Sequence, residues 1–219
     1  TMKKNYLLIS VLFVGLWTTQ AQQLPQFTQY MYNTISINPA YAGNRDAFSL
    51  TALNRNQWAG ISGAPRTQTL SIHSPLRNEQ IGLGLSVIND KTGYENYTYL
   101  YGDFSYTINV SQEVTLSFGL KGGFSYYDLD EDLFSEPSVL QDPFFREKFN
   151  KWTPNFGAGL YLSSQNWYVG LSAPKIINND NNEFSEFVAL EQVHYYMTGG
   201  YVFDLSDTWK LRPTVLAKV

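Results

Sequence analysis

The stretch VTLSFGLKGGFSY, residues 114–126, decides the fold. Read at every second position, it separates into an apolar set and a set of small or polar residues with one charge. The first set is Val114, Leu116, Phe118, Leu120, Gly122, Phe124 and Tyr126, and the second is Thr115, Ser117, Gly119, Lys121, Gly123 and Ser125. This period of two is that of a β-strand, whose successive side chains point to opposite faces. A strand of this length is sufficient to cross a bilayer at a tilt, which takes about 9–11 residues.

The preceding stretch, residues 97–110, divides in the same way. Leu100, Phe104, Tyr106, Ile108 and Val110 share one face, and Asp103, Ser105, Thr107 and Asn109 share the other. An apolar face opposite a polar one is typical of a transmembrane β-barrel, with lipid outside and a polar lumen inside. A soluble β-sandwich would instead turn the apolar face to a core, and these two strands leave both folds open. In the barrel, Lys121 faces the lumen, where Asp103 of the neighbouring strand is a candidate partner.

Composition narrows the class of protein. The chain has 219 residues, suited to one all-β domain, and only 16% are charged, against about 25% in ordinary globular domains. Aromatic residues make up 16%, with tyrosine the commonest, which fits the aromatic girdles of a membrane barrel. The net charge of −4 argues against nucleic-acid binding. Two histidines and no cysteine favour neither a metal site nor a cofactor.

The N-terminus has the pattern of a secretory signal peptide. Lys3 and Lys4 precede an apolar run at residues 6–17, and a small-x-small cleavage site follows at residues 19–21. We therefore divide the chain into a signal peptide at 1–21, an irregular periplasmic or plug segment at 22–45, and a β-barrel domain at 46–219. No other apolar run approaches the length of a membrane helix, so a membrane role would need a barrel.

Nine strands are predicted, and the connections after odd-numbered strands are longer than those after even-numbered ones. The strands are residues 47–57, 66–73, 80–89, 97–110, 114–126, 154–163, 166–172, 194–204 and 208–218. Short periplasmic turns alternating with longer outward loops are typical of outer-membrane barrels, which favours the barrel over the sandwich. Since single-chain barrels of this kind have an even strand count, we expect an incomplete, C-terminally truncated barrel of roughly nine strands.

Several motifs carry a resemblance to a known family. They are QQLPQFTQYMYN and INPAYAG within residues 22–43, then IGLGLSVINDKTG, LSFGLKGG, PNFGAGLYL and WYVGLSAPK. Together they resemble the PorP/SprF family of type IX secretion system proteins in Bacteroidetes, over essentially the whole mature chain. The resemblance implies a cell outer membrane location, contact with lipid, and export or surface attachment of large proteins such as gliding adhesins. It also implies periplasmic and lipoprotein partners, and no catalytic residues.

Residues 22–44 are predicted to be irregular, with a helical turn near residues 28–33. Pro39 fixes one turn, Gly43 permits another, and Tyr41 is expected to pack on the first strand. The segment is either a periplasmic docking epitope or a lumen plug. Interspersed tyrosines and amides suit recognition, because tyrosine offers a large contact area at low entropic cost. The candidate docking residues are Tyr30, Tyr32, Asn38, Pro39, Tyr41 and Gly43.

Other motifs do not indicate chemistry. The acidic run from Asp128 lacks the glycine and glutamate of a calcium loop at its sixth and twelfth positions. The paired glycines near Gly82 and Gly157 are followed by no helix, so we interpret them as lumen-side glycines and not as phosphate loops. We therefore expect a non-enzymatic secretion component, with an outer-membrane small-molecule channel as the alternative. A soluble secreted β-sandwich binding protein is the third, weaker reading.

Overall fold

The computed structural model describes residues 30–77, 79–130, 133, 150–177 and 193–219. The predicted signal peptide lies outside these residues. In the described chain no helix has the length and apolar character needed to cross a membrane. Two short 3-10 helices, Thr34–Ser36 and Pro39–Tyr41, precede the strands.

Eleven strands follow in chain order. They are β1 Ser49–Asn56, β2 Arg66–Pro75, β3 Ile81–Thr92, β4 Glu95–Asn109, β5 Thr115–Leu129, β6 Asn150–Ser163, β7 Trp167–Ala173, β8 Tyr196–Tyr201, β9 Phe203–Asp204, β10 Lys210–Leu211 and β11 Thr214–Lys218. Nine of them form one antiparallel sheet in the order β1 to β8 and then β11, while β9 and β10 form a separate hairpin. In the described residues the sheet is open, with β1 and β11 as its two edges.

The two faces of the sheet carry the side chains that the sequence predicts. On β5, Lys121 is 3% exposed and Ser117 is buried, whereas Leu120 is 62% exposed and Phe118 is also exposed. Polar residues thus lie on the enclosed face and apolar residues on the outer face, which is the reverse of a soluble sandwich and suits lipid outside a polar lumen. The all-β transmembrane barrel fold is confirmed, as a curled nine-strand half-barrel.

The predicted alternation of connection lengths is wrong at the third connection. β3 continues to Thr92 and β4 begins at Glu95, so that only Gly93 and Tyr94 join them. Gly93 has a φ of 60°, which a glycine adopts without strain and which makes the tight turn possible. This connection is shorter than the β2–β3 connection at residues 76–80, because the polar strand ends continue the ladder beyond the apolar pattern.

The predicted eighth and ninth strands are each broken in two. The predicted strand 194–204 is interrupted at Val202, and 208–218 is interrupted before β11 at Arg212 and Pro213. Proline has no backbone N–H to donate to the ladder, which accounts for the second break. The pieces nearest the turn pair with each other as β9 and β10, and the outer pieces pair as β8 and β11.

Candidate functional site in the lumen

Residues 33–43, the lumenal segment, lie on the concave polar face of the sheet. Ile35, Ile37, Asn38 and Pro39 are among the most deeply buried side chains in the described chain. Asn38 caps the second 3-10 helix by accepting from the backbone N of Ala40 at 3.0 Å, and Pro39 occupies its first turn. Pro39 therefore fixes one turn as predicted. Gly43, with a φ of 72°, makes another.

A row of directly paired strand residues lies beneath this segment. It consists of Pro75, Gly82, Ser105, Gly119, Gly159, Ser172 and Tyr196, one from each strand from β2 to β8. We call its five small members, Gly82, Ser105, Gly119, Gly159 and Ser172, the glycine-serine row. The lumenal segment follows the row from Ile37 at β7 to Gly43 at β2 and β3. The segment therefore runs across the strands, at about one residue per strand.

The glycines of the row are required by close backbone approach. A Cβ atom at Gly119 would fall on the backbone N of Ala40, and a Cβ atom at Gly82 would fall on the carbonyl of Ala42. At Gly159 it would fall on the side-chain oxygen of Asn38. Any larger residue at these positions would displace the segment from the sheet.

The serines of the row and one lysine donate to the backbone of the segment. Ser105 Oγ donates to the carbonyl of Ala42 at 2.6 Å, and Ser172 Oγ donates to the carbonyl of Ile37 at 2.7 Å. Lys121 Nζ donates to the carbonyl of Ile35 at 3.1 Å. These carbonyls are buried outside any strand ladder, so side-chain donors supply the hydrogen bonds that burial demands.

Asn38 connects the segment to β6. Its Nδ2 donates to the carbonyl of Leu160 at 2.9 Å, while its Oδ1 accepts from Ala40 N. A Cβ atom on Gly170 of β7 would lie only 2.9 Å from that Nδ2, so a second glycine makes room for the amide. Both the nitrogen and the oxygen of the Asn38 side-chain amide are therefore hydrogen-bonded inside the lumen.

Lys121 and Asp103 form the buried ion pair that the sequence predicts. Their Nζ and Oδ1 atoms lie 3.0 Å apart, and both side chains are almost fully inaccessible. Lys121 Nζ also lies 5.1 Å from the ring centroid of Tyr101. Because the same ammonium bonds the carbonyl of Ile35, it joins β4, β5 and the lumenal segment in one polar network.

Near the β2–β3 turn, where the segment leads into β1, aromatic rings pack on one another on the lumenal face. Tyr41 contacts the ring of His73 edge-on at a centroid distance of 5.7 Å and that of Tyr161 at 5.3 Å. Tyr161 stacks in turn on Tyr168. The ring partners of Tyr41 belong to β2 and β6, and its predicted packing on the first strand stays a prediction. His73 Nδ1 accepts from the backbone N of Gly43 at 3.1 Å, which gives this histidine a structural role.

A second stretch of chain, residues 174–177, also lies on the lumenal face, nearer the end of the barrel that carries the β3–β4 turn. The side chain of Asn155 accepts from the backbone N of Ile176 at 3.1 Å and donates to the carbonyl of Ile177 at 3.1 Å. Gly157 lies directly under Pro174. The cavity that remains between these residues and the lumenal segment has a volume of about 50 Å³.

The six candidate docking residues have different exposures. Asn38, Pro39 and Gly43 are buried, Tyr30 packs on Ile37 and Tyr196, and Tyr41 is partly buried. Tyr32 is 60% exposed. The docking role stays a prediction, and Tyr32 is the residue of the six whose side chain is available to a partner. The serines at 105 and 172 were not predicted as site residues.

A family model described as type IX secretion system membrane protein PorP/SprF matches residues 19–219. No curated protein and no solved structure matches the chain. The matched range includes the lumenal segment and every strand of the sheet.

Proposed function

We propose a role in protein export for this chain, which belongs to the PorP/SprF family of type IX secretion system membrane proteins. Membership confirms the resemblance carried by INPAYAG and the strand motifs. The chain is thus a membrane component of that system, and the family is not an enzyme family. We propose further that it resides in the cell outer membrane and assists export or surface attachment of large secreted proteins such as adhesins.

The observation that supports this function best is the filled lumen. The chain's own residues 33–43 cover the glycine-serine row, and the adjoining cavity of about 50 Å³ has room for only a few water molecules. Pockets for small ligands are typically about 300–1,000 Å³. The small-molecule channel is therefore the weaker alternative, and a large protein would have to be handled at the surface of the barrel.

The outer face of the sheet supports a membrane location with strands as the spanning elements. Large apolar side chains are exposed on consecutive strands, among them Leu70, Leu85, Leu100, Phe104, Phe118, Leu120, Phe156, Leu160 and Leu171. An apolar band around a polar interior suits lipid contact. Together with the signal peptide predicted at residues 1–21, it favours the outer membrane.

We propose that periplasmic and lipoprotein partners dock around Tyr32, at the end of the barrel that carries the β2–β3 turn. A chain exported through its N-terminal signal would present this end to the periplasm. Arg45 Nη2 donates to the carbonyl of Tyr32 at 3.5 Å, and Arg45 Nε donates to Tyr41 Oη at 3.2 Å. An exposed tyrosine on a backbone held in place is a typical anchor of a protein interface.

The test compares Tyr32→Ala with Tyr94→Ala in a type IX-secreting host. Tyr94 is an exposed tyrosine in the β3–β4 turn, at the opposite end of the sheet. We expect both variants to insert in the membrane, and only Tyr32→Ala to reduce recovery of periplasmic partners and export of the cognate surface protein. Equal recovery and export for the two variants would exclude docking at Tyr32.

The secretion role itself is tested by deleting the gene. Loss of surface-protein export, restored by the wild-type chain, is the expected result. Normal export in the deletion strain, together with ion or solute conductance by the purified protein in planar bilayers, would overturn the secretion role in favour of a channel.

A further inference from the structure

We propose that the glycine-serine row and its neighbouring donors form a peptide-binding site, which residues 33–43 occupy in cis. The ligand class is an uncharged segment in which Asn-Pro is followed by small residues interrupted by one tyrosine, as in the NPAYAG of this chain. A second polypeptide carrying such a segment would bind the same site when the chain's own segment is released.

The lumenal segment is held on the sheet by side-chain hydrogen bonds, as a bound peptide ligand would be, and not by backbone pairing with a strand. Its backbone hydrogen bonds run within the segment, for example from Ile37 N to the carbonyl of Thr34 and from Ala42 N to the carbonyl of Pro39. Its bonds to the sheet involve side chains, such as those of Ser105 and Ser172. Release of the segment would therefore leave every ladder hydrogen bond of the nine strands intact.

The site makes a different contact with each of several residues of the segment. At Asn38 it supplies the carbonyl of Leu160 to the amide, in a space left open by Gly159 and Gly170. At Ala40 the absence of a side chain on Gly119 brings the backbones into contact. A residue without an amide at position 38 would lose the bond to Leu160 and would leave the buried N–H of Ala40 without its acceptor, so the site discriminates against it.

The segment also has the shape of a preorganised ligand. Thr34 Oγ1 donates to the carbonyl of Tyr30, Ser36 Oγ donates to the carbonyl of Asn33, and Asn38 caps its own helix. These local bonds lower the conformational entropy lost on binding. Arg45 is bonded to Tyr32 and Tyr41 and stays with the segment, whereas the link to β1 that follows it, residues 46–48, is exposed and is not part of the site.

The experiment uses the full chain, folded in lipid nanodiscs, with a protease site inserted at residues 46–48. After cleavage, an excess of a fluorescently labelled synthetic peptide of residues 30–45 is added, and exchange is followed by anisotropy. We expect the labelled peptide to replace the cleaved segment. An otherwise identical peptide with Asn38→Ala should bind about tenfold more weakly or worse, because it loses the hydrogen bond to Leu160 and leaves the buried N–H of Ala40 without an acceptor.

Two proteins serve as controls. The uncut chain should not bind the labelled peptide, because its site is occupied. A cut Gly102→Ala protein, altered on the lipid-facing side of β4 where the nearest atom is 3.8 Å from the added Cβ, should exchange like the wild type. The proposal is overturned if the cleaved segment does not exchange, if the Asn38→Ala peptide binds equally well, or if cleavage unfolds the sheet. None of these readouts involves secretion, so the outcome is independent of the proposed function.

Discussion

Lys121 and Asp103 occupy directly paired positions on β5 and β4, and their charged atoms lie 3.0 Å apart inside the lumen. Removing either partner leaves a buried charge without compensation, which costs more than the pair contributes in net terms. Lys121 also holds the carbonyl of Ile35. Lys121 therefore contributes both to the stability of the sheet and to the position of the lumenal segment.

We predict that Asp103→Ala lowers the free energy of unfolding by about 3–5 kcal/mol, as expected when one member of a buried ion pair is lost. Urea unfolding in lipid vesicles measures the change. The control is Asp204→Ala, which breaks the 2.9 Å pair with Lys210 in the β9–β10 hairpin. That pair is 69% and 56% exposed, so its loss should cost no more than about 1 kcal/mol. Similar costs at the two sites would contradict the burial of Lys121 and Asp103.

Gly119→Ala and Gly102→Ala should differ in their effect on the free energy of unfolding, although the two glycines lie on adjacent strands. The first places a methyl group on the backbone of Ala40 and should destabilise by about 1–3 kcal/mol or more through overpacking. The second adds a methyl group with no atom nearer than 3.8 Å, and should be neutral or slightly stabilising. Denaturant unfolding, with hydrogen exchange of the Ala40 amide, measures both. A neutral Gly119→Ala would mean that the segment does not lie on the row.

His73 should tolerate asparagine better than leucine. The Oδ1 atom of asparagine can take the place of the histidine Nδ1 that accepts from the backbone N of Gly43. Leucine leaves that buried N–H unsatisfied, which costs about 1–3 kcal/mol. The comparison is made by thermal unfolding in detergent of the two variants and the wild type. If the leucine variant is as stable as the asparagine variant, the hydrogen bond does not stabilise the turn at Gly43.

Leu120→Arg should impair membrane insertion. Leu120 is on the outward face in the middle of β5, and an arginine near the bilayer midplane costs about 2–4 kcal/mol. The matched variant is Leu205→Arg, at an equally exposed leucine in the turn between β9 and β10, outside the nine-strand sheet. There the cost should be about 0–1 kcal/mol. Folding yield into lipid vesicles distinguishes them, and equal yields would argue against lipid on the outer face of β5.

The strand faces and the Lys121–Asp103 pair could be predicted because both follow from local rules. A period of two assigns each side chain on a strand to a face without knowledge of the rest of the fold. Two consecutive strands joined by a short turn are antiparallel neighbours, so lumenal charges of opposite sign on them are natural partners. The lumen-side position of Gly82 and Gly157 follows from the same periodicity.

The glycine-serine row could not be predicted, because it depends on the register of five strands at once. One wrong turn length shifts the register, and a shift of one residue moves every side chain to the other face. The mispredicted connection at Gly93 and Tyr94 shows how easily that happens. The hydrogen bond from Asn38 to the carbonyl of Leu160 spans 122 residues of sequence, and no local pattern indicates it. For the same reason the sequence left the position of the segment open and did not indicate the contacts of Tyr41 with β2 and β6.

The direction of the lumenal segment determines how the molecule would bear a mechanical load. Its attachments lie in series, with Ile37 at β7, Ala40 at β5 and Gly43 at β2 and β3. A pull on Tyr30 directed away from the sheet would therefore load these attachments one strand after another, beginning at β7. A pull along the axis of the segment would load them together. A partner that pulls on Tyr30 away from the sheet would thus detach the segment stepwise, while the strands of the barrel stay paired.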